Sequence, residues 1–249
     1  MESNEYELMS SVEDVHWWWR ARREILADTI RAHLPDFGVV RSVAEVGCGT
    51  GGNLPMLAEF GEVLGAELEP SAVVRAHEKH GGRFEVIQHS IPEPLPRPVH
   101  LLGMFDVIEH VADDAGALRW AAQQVVPGGL VLITVPAFDF LWTRHDEAAH
   151  HFRRYSPASL RAIVPPELQV LHLTCFNVLL FPVVTIIRTA LRLIPRAVQP
   201  HKTHMGLPPE PLNELLYRLF RIERRLAPHR RFPLGVSVLA VLRRQDAQG

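Results

Sequence analysis

The residues that point most directly to chemistry lie in one short stretch, Glu45-Val46-Gly47-Cys48-Gly49-Thr50-Gly51-Gly52. A β-branched run, VVRSVAEVG, leads into it, and LPMLAEF, the start of a helix, follows. Glycines between a strand and a helix permit a tight turn and let a ligand approach the backbone closely. Gly47, Gly49 and Gly52 also satisfy the G-x-G-x-x-G spacing of dinucleotide folds. Glu67 ends the next apolar run, 20 residues after Gly47. A carboxylate there can accept hydrogen bonds from both hydroxyls of a ribose. Together these features predict an adenosine-type nucleotide at the carboxyl end of a parallel sheet. Two cofactor classes fit, a pyrophosphate dinucleotide and S-adenosylmethionine (SAM). Glu45 would repel a nearby pyrophosphate, whereas a carboxylate suits a zwitterionic or cationic ligand.

Two further clusters carry titratable groups. Asp106-Val107-Ile108-Glu109-His110 places three potential ligands at the end of an apolar run. This oxygen-rich set can bind Mg²⁺. His110 can instead serve as a general base, and Glu109 with His110 can simply cap the next helix. The second cluster runs from His145-Asp146-Glu147 through His150-His151 to Arg153-Arg154-Tyr155. His145 and Asp146 fit a base with its orienting partner, while Arg153, Arg154 and Tyr155 fit docking of the loop onto the sheet. The spacing does not match a zinc motif.

These groups need a scaffold, and the pattern of elements supplies one. Residues 12–34 read as an amphipathic helix or helix pair, stopped by Pro35, Asp36 and Gly38. Strands are predicted at VVRSVAEVG, GEVLGAELE, RFEVIQHS, HLLGMFDVIEHV and LVLITVPAF, with helices at Pro70 to His80 and DDAGALRWAAQQVV. Pro127-Gly128-Gly129 should stop the second of these helices. Strands resume at LQVLHLTCF and VSVLAVLRR. Alternation of this kind means a doubly wound α/β sheet, mostly parallel, with helices on both faces. The last strand is expected to be antiparallel. The stretch before it, 177–234, is too long for a hairpin turn and reads as an inserted helical cap.

The 249 residues are 47% hydrophobic and 22% charged, which excludes a disordered or collagenous chain. We read one domain over 1–249: a helical cover at 1–38, a nucleotide-binding core at 39–176, the cap at 177–234, and the last strand and tail at 235–249. Two cysteines form no disulfide framework, and the acidic start lacks the pattern of a signal peptide, so a cytoplasmic chain is expected. The net charge of −2 gives no pull towards nucleic acid. The charge is nonetheless uneven. Residues 186–244 hold twelve Lys/Arg against three Glu. An apolar run, Phe176 to Ile187, precedes Arg188, Arg192 and Arg196. We read this run as a lid over a greasy ligand, with peripheral membrane contact as the alternative.

The order of motifs resembles class I SAM-dependent methyltransferases, in particular the small-molecule group that includes quinone-biosynthesis enzymes. An acid followed by G-x-G-x-G is met by Glu45, Gly47, Gly49 and Gly51. Glu67 matches the ribose acid, and DVIEHV and PGGLVLITVP resemble the motifs of the fourth and fifth strands. The resemblance implies that Gly47, Cys48, Gly49 and Gly51 line the methionine part of SAM, that Glu67 holds the ribose and that Leu68 packs on the adenine. Many members have an acid after the third strand. Here Gln88-His89-Ser90-Ile91 stands in that place, and Ser90 with the Ile91 backbone would substitute. Asp106 would lie beside the cofactor. An N-terminal helix would cover it, with Arg20 or Arg23 on the SAM carboxylate. Three adjacent tryptophans, Trp17 to Trp19, cannot all face one core, so at least one is expected at the cleft or a membrane surface. The implied activity is methyl transfer to a hydrophobic small molecule, with His110 or His145 as base and no metal required. An NAD-dependent oxidoreductase and a non-catalytic methyltransferase-like binding subunit are the alternatives.

Overall fold

A computed structural model describes residues 3–193 and 206–245. The elements in order are α1 (Ser3–Val12), α2 (Trp17–His33), β1 (Ser42–Val46), α3 (Leu54–Leu57), β2 (Glu62–Glu67), α4 (Pro70–His80), β3 (Glu85–Gln88) and β4 (Val99–Phe105). They continue with α5 (Asp114–Gln124), β5 (Val125–Pro136), α6 (Arg144–Ala148), α7 (Pro157–Ala162), β6 (Leu168–Phe176), α8 (Phe181–Leu193), α9 (Glu210–Arg221) and β7 (Ser237–Arg244). Short 3-10 turns lie at Ile108–His110, Asp139–Leu141 and Ile222–Arg225.

The strands form one sheet in the order β3-β2-β1-β4-β5-β7-β6. β7 alone runs antiparallel to its neighbours, so the fold is the doubly wound α/β class the sequence predicts. The last strand in the chain is not at the edge; it slots between β5 and β6. Side chains alternate between two cores, as a sheet covered on both faces requires. In β7, Val238, Ala240 and Leu242 enter one core, with Leu118, Trp120 and Leu160 of α5 and α7. Leu239 and Val241 enter the other, with Ile25, Leu26 and Ile30 of α2 and Phe220 of α9. β1 lies between β2 and β4, where the order reverses. Such a switch point opens a crevice beyond the strands' carboxyl ends.

Two local features depart from the sequence reading. The N-terminal region is two helices, and its first begins at Ser3, ahead of residue 12. The break sits at His16, which caps α2 by accepting from the Trp18 N–H. Second, β5 follows α5 directly at Val125. Val99 pairs with Val125 and Leu101 with Leu130, so Pro127 to Gly129 bulge out of the strand instead of preceding it. Part of the cap and Arg196 lie outside the described residues. Among the described residues no helix is long and apolar enough to cross a membrane.

The cap is fastened to α2. Asn213 accepts from the Trp17 N–H (2.8 Å) and donates to the Val15 carbonyl (2.9 Å). Glu24 accepts from Tyr217, Arg221 and Arg224. Phe220, fully buried, stacks on Phe176 with centroids 6.1 Å apart and meets Trp17 edge-on at 5.9 Å. Truncation of a buried phenylalanine leaves a cavity. Phe220→Ala should therefore lower the unfolding free energy by ~3–5 kcal/mol in denaturant titrations followed by circular dichroism. Leu215→Ala, on the exposed side of α9, should change it by no more than about 0.5 kcal/mol. Similar losses in both variants would contradict this packing.

Candidate functional site

The glycine loop turns back from β1 over the end of β2. Gly47 and Cys48 donate to the Ala66 carbonyl at 2.8 and 3.2 Å. Gly47, Gly49 and Gly51 all have positive φ (71°, 56° and 81°), a region that side chains resist. Space is short as well. A Cβ on Gly47 would lie 2.6 Å from Val107 Cγ2, and one on Gly49 would lie 2.8 Å from Met9 Cε. α1 thus sits on the loop. Its neighbour Glu13 binds Thr50 and Lys79, closing this side with an ion pair at 2.7 Å. Burial pushes the Cys48 thiol well above its usual range, so Cys48 lines the loop as an inert group.

Four carboxyl groups converge beyond the strand ends. Glu67, at the end of β2, accepts from the Gly49 N–H (2.8 Å) and the Glu69 N–H (3.0 Å). Leu68 beside it is largely exposed. Glu45 is buried; Oε1 accepts from Asn53 (2.7 Å), while Oε2 has no partner among the described residues. Burial is the main reason that its carboxyl is pushed up to about 8, with Glu13 and Glu67 adding to the shift. Asp106, at the end of β4, takes a left-handed backbone (φ 58°), which its short polar side chain tolerates. Glu109 is fully buried and neither carboxyl oxygen has a partner among the described residues. Burial, then the nearby Asp106, pushes its acid well above the usual range.

A single arginine enters this group. Arg22, 4% exposed, reaches from α2 to Asp106 Oδ2 (2.7 Å) and to the Thr134 hydroxyl. Thr134 in turn donates to Asp106 Oδ1 (3.2 Å). The guanidinium lies over Trp18 (4.7 Å), and its Nε has no partner among the described residues. Arg20 and Arg23, the arginines expected here, point elsewhere. Arg20 pairs with Glu214 (3.2 Å) and stacks on Tyr217 (3.8 Å). Arg23 donates to the Glu13 carbonyl (2.8 Å). Helical periodicity explains the difference: Arg22 shares the buried face with Ile25, Leu26, Thr29 and Ile30. An arginine on that apolar face was the signal to read. After β3, the Ser90 hydroxyl donates to the Ile91 carbonyl (3.4 Å), the Ser90 carbonyl accepts from the Glu93 N–H (2.9 Å), and the buried His89 lies between Glu67 and Trp120, with its backbone N–H on the Glu67 carbonyl.

The histidines form a second group. His110 and His151 meet edge-to-face with centroids 4.6 Å apart. Burial, then the neighbouring His151, brings His110 down to about 4, so it is neutral at physiological pH. Asp146 orients His151, not His145: its Oδ1 lies 2.9 Å from His151 Nδ1. Asp146 also takes Arg154 in a bidentate pair (2.8 and 3.0 Å) and the Thr143 N–H (2.7 Å). Burial alone would raise Asp146; these donors outweigh it and hold the carboxyl below its usual range. His145 stands 6.2 Å from His151 by ring centroid. Ligand atoms of Glu109, His110 and His151 lie within 4.8 Å of one another, a set that can hold a divalent ion. It differs from the trio expected from sequence, because Arg22 and Thr134 occupy Asp106. Nothing in the sequence marks His151, whose place depends on the turn through Asp146.

Fold and site together place a glycine loop and four acids at the switch point of the sheet. Residues 18–165 match the family described as "Methyltransferase domain", more than half of the chain, and the chain belongs to that family. It is 28% identical over 126 residues to a probable S-adenosylmethionine-dependent methyltransferase of Mycobacterium tuberculosis (strain ATCC 25618 / H37Rv), covering 49% of this chain and 44% of that protein. It is 33% identical over 102 residues to the ubiquinone biosynthesis O-methyltransferase of Yersinia pestis (strain Pestoides F), covering 38% of this chain and 42% of that protein. The chain thus spans less than half the length of these relatives. The fold is similar to a chain from a Haloferax volcanii complex containing the Trm112 methyltransferase activator, with a TM-score of 0.61, 18% identity, and 99% and 96% of the two chains covered.

The raised carboxyl of Glu45 has a measurable consequence. Its folded value lies above its ordinary 4.5, so its contribution is full below about pH 4.5 and is lost as pH rises to about 8. Without ligand, Glu45→Gln should remove that loss, flattening stability by a few kcal/mol across this window relative to wild type, read by denaturant unfolding at stepped pH. Parallel pH profiles for the two proteins would contradict an uncompensated buried acid.

Proposed function

We propose that the protein transfers a methyl group from SAM to a hydrophobic small-molecule acceptor. The observation that carries this reading is the orphaned pair at the strand ends, Glu45 Oε2 and Arg22 Nε, beside a glycine loop with no room for side chains. A buried acceptor and a buried donor left open suit a zwitterion bearing an ammonium and a carboxylate. Gly47, Cys48, Gly49 and Gly51 would line the methionine part, and Arg22 replaces Arg20 and Arg23 as the group for its carboxylate. Glu67 would take the ribose hydroxyls, Leu68, Ser90 and Ile91 the adenine, and Asp106 would fix Arg22. When bound, SAM supplies an electrophilic methyl group on a sulfonium.

The chain's own part is to orient, dry and deprotonate. Phe138, Phe140 and Phe181 gather after β5, with centroids 5.3–6.2 Å apart, and offer an apolar wall for an acceptor. Holding the acceptor in line lowers the barrier by proximity and exclusion of water. With Asp146 accepting from Nδ1–H, His151 presents Nε2 as a proton acceptor. His110, a weak base, would pass the proton on or steer the acceptor, and His145 stands as the outer member of the cluster. A divalent ion on Glu109, His110 and His151 is the second reading, favoured by their spacing.

A methyl-transfer screen with labelled SAM against lipophilic cell extract tests the reading directly. Product should appear in the apolar fraction. Glu67→Ala should weaken SAM binding by at least ~1 kcal/mol through lost charge-assisted hydrogen bonds. His151→Ala should lower turnover ~10²–10⁴-fold while SAM affinity holds. Wild-type affinity in Glu67→Ala would remove the ribose assignment, and full turnover in His151→Ala the base. Label confined to polar products would overturn the acceptor class.

A further inference from the structure

The cap carries an apolar stripe that the described fold leaves uncovered. Along α9 and the 3-10 turn after it, Leu212, Leu215, Leu219, Ile222 and Leu226 recur at alternating steps of three and four. Their exposures are 46%, 54%, 36%, 54% and 42%. The side that packs inward is a different one, with Asn213, Phe220 and Glu223 buried. A second apolar stretch adjoins it. Leu179, just before α8, and Val183, Ile186 and Ile187 within it are each at least half exposed. The Leu179 N–H donates to Glu223 (3.0 Å), the residue after Ile222, which brings the two stretches together. Of the run read as a lid, Phe181 turns inward onto Phe138 and Phe140, while Val183, Ile186 and Ile187 face out.

From Arg218 onward the charge around the stripe has one sign. Arg218 to Arg231 includes six arginines and a single acid, Glu223, which is buried and accepts from backbone N–H groups. Arg225, Arg230 and Arg231 are exposed and make no ion pair among the described residues. Pairing of the stripe with a second copy would set Arg218 and Arg225 along a like-charged seam. Coiled-coil partners place opposite charges at those flanking positions. Glu214, the nearest acid, already serves Arg20 and Arg218. A leucine and isoleucine stripe bordered by arginines instead matches the boundary of an anionic bilayer, where apolar side chains sink and guanidinium groups reach the headgroups.

We propose that this face docks the protein on an anionic lipid surface, with α9 lying in the interface. α8 joins the stripe to Phe138 and Phe140 beside the strand ends. Docking there gives an acceptor dissolved in the bilayer a short apolar route to the cleft. The docking itself does not depend on methyl transfer.

Co-sedimentation with phosphatidylcholine vesicles, with and without phosphatidylglycerol, tests it on the full chain. Enrichment should require phosphatidylglycerol and weaken as salt rises. Leu215→Asp/Ile222→Asp should abolish it. Arg225→Gln/Arg230→Gln/Arg231→Gln should weaken partitioning on the order of a hundredfold. Both variants should keep wild-type circular dichroism and SAM titration curves, since none of these residues lines the cofactor cleft. No enrichment on phosphatidylglycerol vesicles, equal binding to neutral vesicles, or unchanged pelleting of both variants would overturn the proposal. So would a wild-type dimer in sedimentation velocity that Leu215→Asp dissolves without any vesicle binding.

Discussion

An excess of carboxyl groups over cations at one crevice is the constraint on which the site depends. Glu45, Glu67, Asp106 and Glu109 converge where the sheet order reverses, and Arg22 is the one cation that the described structure brings to Asp106. Burial of like charges is costly, and the protein answers in two ways. Glu45 and Glu109 are pushed towards their neutral forms, while Glu67 is held by two backbone N–H groups. The imbalance remains available to a ligand that brings positive charge. A pyrophosphate would increase it. On the proposed reading, the acid at position 45 separates the two cofactor classes more sharply than the glycines do.

The surrounding structure can be read as support for Arg22. Its guanidinium must leave α2, cross the second core and meet β4 and β5 at once. α2 is held for this purpose by Phe220 and Asn213 from the cap and by ion pairs from Glu24 and Asp28 to Arg224. Exposed pairs of this kind contribute little singly. Here they close a network between α2 and the cap, beside the buried Phe220. One helix, α2, therefore touches both the cap and Asp106, although these lie far apart in sequence.

Most of the fold was legible from the chain. Strand positions followed from β-branched runs ending in glycine or acid. The bulge at Pro127 to Gly129 was not legible, since the same residues equally mark a helix stop. The glycine loop and Glu67 were placed by spacing, because strand and turn fix the backbone between them. Arg22 was missed in favour of Arg20 and Arg23. Three arginines stand there in sequence, and the helical spacing of Arg22 with Ile25, Leu26 and Thr29 marks it as the one that faces inward. His151 was missed for a different reason. Asp146 sits beside His145 in sequence, but the turn following α6 carries His151 back to it. Adjacency along the chain was a poor guide to partnership in space.

The account rests on a cleft selective for a ligand with positive charge over a pyrophosphate, and paired calorimetric titrations measure that preference most directly. SAM and NAD⁺ would be titrated separately into the unmodified protein under the same buffer and salt. The account predicts heats of binding for SAM and none for NAD⁺. Binding of NAD⁺, or of neither nucleotide, would contradict it.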